Sequence, residues 1–381
     1  MDFSLTEQQQ QLRQTIIAFA KKELNADIIR RDSEAAFPRD LWRKCAELDI
    51  WALPFPEAYG GCNLDLLTTV LSVEALSYAC RDSGLVHAIL TQLVCGIALN
   101  LFGNSKQKES YLPAICRGEK IIAQAATEAE SGSDVFSMRT KAIAHDGSYL
   151  LNGNKMFISN GPVADIILVL AVTQLERKGF GAHSMLLVEK HYPGFSSGKP
   201  LMKMGLRTLQ NSELVFEDCC VPQDNLIGKE GQGGIIFNEV MEWERIIFGA
   251  CHVGTMLRLC EDSTAYAKDR KQFGQAIGKF QAVSSKIARM KMNIELARLM
   301  VYKAAVLKDQ GSRAALEAAT IKVFASESLK NASLDAVQIH GAYGYMTESE
   351  VERELRDSIA STIYSGTVEL NTLIVSKLLG L

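Results

Sequence analysis

The chain has 381 residues, of which 47% are hydrophobic, and a formal net charge of -3. That length and apolar content suffice for two or three structural units with cores of their own. Near-balanced charge without a Lys/Arg-dense arm excludes general attraction to nucleic acid or an anionic membrane, so partners must be recognised locally.

Residues 1–119 read as helical. Met1-Asp-Phe runs into the polar helix start "SLTEQQQQLRQTIIAFAKKEL" with no leader-like or transit-like pattern. "LLTTVLSVEALSYAC" and "GLVHAILTQLVCGIALNLFG" continue the helical period. The longest candidates for a membrane span are "DIILVLAV" and "RIIFGACHVGTML", and both are too short. Nine scattered cysteines, odd in number and without a C-x-x-C pair, suggest reduced core thiols in a cytoplasmic protein and no metal site.

Residues 120–224 read as a β unit. Asp146-Gly147 in "KAIAHDGSYLLNG" is a hairpin signal, and "ADIILVLAV", "HSMLLVEK" and "SELVFEDCCVP" follow as strand-like runs. From 225 to 381 helices return. All eight prolines lie at or before Pro222, and Val283, Ile287, Met290, Ile294, Ala297, Val301 and Ala304 form an apolar stripe at three- and four-residue steps. The fold class is therefore α+β, mostly α, ordered helices, strands, helices.

Three segments carry candidate chemistry. Ser131-Gly132-Ser133-Asp134 in "TEAESGSD" fits either an ordinary turn or a cradle of N–H groups and hydroxyls for an anionic or heteroaromatic ligand. "KMFISNG" ends a strand, and "DRKQFGQAIGKFQ" opens the stripe helix. A fourth, "IYSGTVEL" at 363–370, resembles a catalytic loop but contains no base near its Ser365. One base candidate lies in "NEVMEWERIIFGACHVG", where Val240, Glu244, Ile247 and Cys251 share a helix face flanked by Phe248. A carboxylate interrupting an apolar stripe loses hydration and has a raised pKa; an exposed, salt-bridged glutamate is the alternative.

"TEAESGSD", "QFGQAIGKFQ" and "QIHGAYGYMTESEVERELRD", in this order, resemble the motifs of the acyl-CoA dehydrogenase family over essentially the whole chain. The resemblance implies an N-terminal helical domain, a middle β domain, a C-terminal four-helix bundle, a homotetramer and bound FAD. It assigns Gln124, Ala126, Thr127 and Ser133 to the flavin and its diphosphate, and Phe157, Ile158 and Ser159 to the isoalloxazine ring. Arg270, Gln272, Phe273, Gln281, Gln338 and Gly341 resemble residues that reach the adenosine diphosphate of an FAD bound by a neighbouring subunit, with Thr367 and Glu369 closing that pocket. Ala342 replaces the second glycine of the family's pair.

Many family members have their catalytic glutamate where Ser365 stands, whereas the isovaleryl-CoA and long-chain branches have it at the Glu-Arg position matched here by Glu244-Arg245. The resemblance thus makes Glu244 the base for the substrate α-proton and gives the Ser365 N–H the thioester carbonyl. It extends to the prolyl-carrier-protein dehydrogenases of secondary metabolism, which oxidise a prolyl thioester. A short branched-chain acyl-CoA dehydrogenase and a catalytically inactive carrier-binding flavoprotein are the alternatives. Glu242, Trp243, Arg245 and Tyr364 are candidate substrate contacts. The implied partners are an acyl or peptidyl carrier protein or a CoA thioester, with electron-transfer flavoprotein or oxygen as acceptor.

Overall fold

The first helix, α1 (Glu7–Glu23), begins where Thr6 Oγ1 accepts from Gln9 N at 3.2 Å and Gln9 Oε1 accepts from Thr6 N at 3.1 Å, a reciprocal capping box. The structure, a computed structural model, describes residues 4–177 and 179–381; Met1-Asp-Phe and Lys178 lie outside these residues. Helices α2 (Ile28–Glu34), α3 (Arg39–Ala46), α4 (Leu66–Ala79), α5 (Ser83–Phe102) and α6 (Ser105–Cys116) complete the N-terminal unit. Both α4 and α5 are apolar all round because neighbours cover them on every side: α4 lies against α1 and the C-terminal helices, and α5 between α6, the first strand and the longest helix.

Helix α5 corrects the expectation about membrane-length runs. Its 20 residues are long and apolar enough to cross a bilayer, yet 78% of the apolar window is buried inside the protein. Length and composition alone do not separate such a core helix from a span.

The β unit contains β1 (Ile122–Ala125), β2 (Lys141–His145), β3 (Ser148–Ser159), β4 (Ile166–Val172), β5 (His183–Glu189), β6 (Phe195–Ser197), β7 (Asn211–Pro222) and β8 (Leu226–Ile227). They form one sheet in the order β6-β7-β3-β2-β4-β5-β8, with β1 parallel to β4. The β2–β3 hairpin turns at Asp146 and Gly147, with φ of 43° and 75°, the left-handed pair that a tight two-residue hairpin requires. Alternation explains the unbroken "IILVLAV": Ile166, Leu168 and Leu170 join the core shared with the helices, whereas Ile167, Val169 and Ala171 fill a second core on the other face. Between Lys155 and Ile158, β3 holds one residue more than β7 does between Leu214 and Ser212. This bulge places Phe157 at φ 62°.

The C-terminal unit contains α7 (Gly233–Asp269), the small hairpin β9 (Lys271–Gln272) and β10 (Gln275–Ala276), α8 (Gln281–Asp309), α9 (Ala315–His340), α10 (Ala342–Tyr345), α11 (Val351–Ala360) and α12 (Val368–Leu378). Helices α7, α8 and α9 pack on one another and α12 packs on α9. On α8 the stripe buries Met290, Ile294, Ala297, Val301 and Ala304, with Val283 and Ile287 half-buried at its start. Buried Glu74 on α4 accepts hydrogen bonds from Arg298 Nη2 and the Tyr302 hydroxyl of α8, each at 2.9 Å, and so fastens the N-terminal unit to the bundle. Helices α4 and α7 touch closely at Gly254, where a Cβ would stand 2.3 Å from Glu74 O and 2.9 Å from Tyr78 N. Backbone atoms cannot yield as a side-chain tip can. Gly254→Ala should therefore lower the unfolding free energy by about 1–3 kcal/mol in a denaturant titration; parental stability would show that these helices separate freely.

Candidate active site

A cavity of about 240 Å³ opens where the sheet meets α5, α7 and the loop after α11. Its size is at the small end for ligand sites, so it encloses the reacting parts of its ligands rather than a whole dinucleotide.

One wall is the chain leaving β1. Gln124, Ala126, Thr127, Gly132 and Ser133 line it, and the β3 bulge adds Phe157, Ile158 and Ser159. Lys155, fully buried, shapes this wall: its Nζ donates to Ala126 O and to Glu128 Oε1, both at 2.9 Å. Glu128 in turn accepts from Arg139 N at 2.7 Å and from Thr140 N at 2.9 Å. Burial pushes the Lys155 ammonium down to about 8, opposed by the Glu128 charge. Phe157 is 58% exposed, so its face is available to a flat ligand. Gln124 Oε1 is buried in the wall and among the described residues has no donor, an acceptor suited to the N–H of a heterocycle.

Opposite stands α7. Met241, Glu244, Arg245 and Phe248 all line the cavity, the i, i+3, i+4, i+7 set of one helix face. Glu244 accepts a hydrogen bond from Ser365 Oγ. Its pKa is raised, mainly by burial, although the Ser365 hydroxyl, Arg245 and Lys322 pull it back. Arg245 Nε donates to Ser365 O at 3.2 Å. Buried Asn371 also clamps the loop, its Nδ2 donating to Gly366 O at 2.9 Å and Thr367 O at 3.0 Å. These bonds hold Ser365 at φ 56°, a left-handed conformation that costs a non-glycine residue about 1–3 kcal/mol. Among the described residues the Ser365 N–H meets no hydrogen-bond acceptor.

An acid placed to take a proton, an unpaired N–H beside it and a cradle for a flat heterocycle share one cavity. Profiles described as acyl-CoA dehydrogenase N-terminal, middle and C-terminal domains match residues 6–119, 123–219 and 231–380. The chain belongs to the acyl-CoA dehydrogenase family. It is an oxidoreductase of that family's fold. It is 39% identical to an L-prolyl-[peptidyl-carrier protein] dehydrogenase of Serratia sp., covering 100% of this chain and 99% of that one. To a short-chain-specific acyl-CoA dehydrogenase of Clostridium acetobutylicum it is 38% identical, covering 99% of each. Among solved structures, the prolyl acyl carrier protein oxidase AnaB superposes with a TM-score of 0.97 at 44% identity, over 99% of this chain and 100% of the other. An FAD complex of PigA superposes equally well, at 39% identity over 100% and 99%.

Not every candidate in this member of the family reaches the cavity. Consecutive helical residues are about 100° apart, and with Glu244 and Arg245 facing inward, Glu242 and Trp243 turn away. Buried Glu242 accepts from Lys308 Nζ at 3.3 Å and Ala314 N at 3.2 Å; Trp243 Nε1 donates to Glu239 at 3.1 Å. Both make structural contacts and neither lines the cavity, where the sequence reading has them as substrate contacts.

Arg270, the C-cap of the same helix, follows Glu244 by 26 residues, about 39 Å of axial rise. Tyr266 stacks on His340 at 4.3 Å, so the ends of α7 and α9 lie together and bring Arg270, Gln272, Phe273, Gln281, Gln338 and Gly341 to one end of the bundle. None of these six lines the chain's own cavity, and Phe273 is 93% exposed. Thr367 caps α12 and Glu369 lies in its first turn, while their neighbours Gly366 and Leu370 provide the lining.

Sequence reasoning missed His87, Thr91 and Cys95, which line the cavity from α5. Their i, i+4, i+8 spacing was a readable signal, masked by the apolar residues around it.

The raised pKa of Glu244 has a consequence for stability. An acid whose folded pKa exceeds its unfolded value binds its proton more tightly in the native state; stability falls as pH rises from the ordinary 4.5 through the folded value, and the loss is complete above it. Glu244→Gln should therefore melt above the parent at pH 8, with the gap closing as pH falls towards 4.5. Equal melting midpoints at pH 8 would rule out a desolvated carboxylate.

Proposed function

We propose that this protein oxidises a prolyl group held as a thioester on an acyl or peptidyl carrier protein, with FAD as cofactor. The observation that carries the chemistry is Glu244, a desolvated carboxylate on the cavity wall held by the Ser365 hydroxyl. Supporting the prolyl substrate are the full-length likeness to proteins named for that reaction and a polar cavity floor, where His87 and Tyr364 stand together. The comparable likeness to a short-chain acyl-CoA dehydrogenase supports a second reading, oxidation of a short branched acyl-CoA. The presence of Glu244 argues against a catalytically inactive carrier-binding flavoprotein.

Bound FAD supplies the two-electron acceptor. Gln124, Ala126, Thr127 and Ser133 hold it with Phe157, Ile158 and Ser159, and the orphaned Gln124 oxygen fits such a heterocycle. Glu244 removes the α-proton, and burial keeps the carboxylate basic enough for that work near neutral pH. The free Ser365 N–H stabilises charge developing on the thioester oxygen. The distant cluster at the end of α7 serves a neighbouring copy in a homotetramer; exposed Met292, Leu296 and Leu299 on α8 provide an apolar face for such packing. Electrons leave to electron-transfer flavoprotein or to oxygen, and free thiols suit a cytoplasmic location.

The purified protein should carry yellow flavin that bleaches anaerobically with prolyl carrier protein faster than with isovaleryl-CoA. Glu244→Gln should keep the flavin and lose at least roughly a hundredfold in bleaching rate. Undiminished bleaching by that variant would remove Glu244 as the base, and faster bleaching by isovaleryl-CoA would favour the second reading.

A further inference from the structure

Three side chains brought together from α5, α7 and the loop after α11 form a hydrogen-bonded chain at the cavity floor. His87 Nδ1 stands 2.7 Å from Ser83 O, its Nε2 stands 3.0 Å from the Tyr364 hydroxyl, and that hydroxyl stands 2.7 Å from His252 Nε2. Burial pushes the His87 pKa down to about 4 and that of His252 well below its ordinary value, so both rings are neutral. A neutral imidazole has one N–H and one bare nitrogen, and a phenol has one proton.

Only one proton arrangement satisfies these contacts. Ser83 O is a carbonyl and can only accept, so His87 carries its proton on Nδ1 and presents a bare Nε2. Tyr364 must then donate its proton to His87. With that proton committed, His252 must donate from Nε2 to the Tyr364 oxygen. His252 Nδ1 is then bare, and among the described residues this buried nitrogen has no donor or acceptor. The Tyr364 hydroxyl has therefore spent its proton inside the protein and keeps one lone pair.

His87 and Tyr364 line the main cavity, whereas His252 sits behind them and does not. We infer that the Tyr364 oxygen is an acceptor-only contact that selects an acyl group bearing an N–H, and that His87, its own proton tied to Ser83 O, is the positioning residue that commits it to that role. This inference rests on the proposed prolyl substrate and adds what distinguishes that ring from an alkyl group of the same shape. A prolyl ring nitrogen has an N–H to give whether neutral or protonated. A carbocyclic ring has none and would leave the Tyr364 lone pair buried and unpaired.

The test compares prolyl with cyclopentanecarbonyl on the same carrier protein, reading anaerobic flavin bleaching in the FAD-loaded enzyme. The wild type should favour prolyl by at least roughly tenfold, the scale of one buried hydrogen bond. In Tyr364→Phe and in His87→Leu, which frees the Tyr364 proton, the ratio should fall to near one, whereas His252→Leu, which leaves that proton committed to His87, should keep it. A purely structural role would slow both acyl groups together and leave their ratio unchanged. An unchanged ratio in Tyr364→Phe, or a wild-type ratio near one, overturns the inference while leaving prolyl oxidation intact. A wild type that ignores prolyl carrier protein but bleaches with isovaleryl-CoA overturns both.

Discussion

A carboxylate kept out of bulk water on an apolar helix is the constraint on which this site depends. Glu244 occupies a helix with Val240, Ile247 and Cys251, all buried, and its solvent is replaced by one hydroxyl, one guanidinium and one buried ammonium. Desolvation raises its proton affinity, while Ser365, Arg245 and Lys322 stop it from becoming a permanently neutral acid. The fold sacrifices stability at neutral pH to hold such a group, which suits the proposed role of taking a proton from a weak carbon acid.

The rest of the site keeps its partners in register with that carboxylate. On one side the Lys155–Glu128 pair fixes the exit from β1 and the bulge of β3. On the other, Arg245 and Asn371 hold Ser365 and Gly366 in left-handed conformations, which frees the Ser365 N–H. Each clamp ties a flexible connection to a rigid element, so the groups around the cavity are preorganised before any ligand arrives.

The length of α7 separates two tasks. Its first third provides Glu244, proposed as the base, and its far end the Arg270 cluster, about 39 Å away. Neighbours cover this helix along its length: α4, α8 and α9 pack on it, and Gly254 lets α4 come close. One continuous helix thereby links the cavity to a surface that does not line it.

Much of this was legible in the residues. Three motifs in order identified the family, the Asp146-Gly147 turn marked its hairpin, and the α8 stripe marked a buried face because helical periodicity is local. The same periodicity set Glu244 among apolar neighbours and made it a base candidate, although it did not say which of the residues around it shared the cavity. Glu242 and Trp243 adjoin Glu244 in sequence and face elsewhere, since each helical step turns the side chain by about 100°. The apolar α5 had no local mark separating a core helix from a span; only its neighbours do. The contacts from Tyr364 to His87 and His252 cross 277 and 112 residues of sequence. Local sequence determined the elements and the chemical repertoire, because propensity and periodicity act between near neighbours. Tertiary structure alone decided which groups lose water together and which proton goes where, because desolvation and hydrogen bonding depend on distance in space.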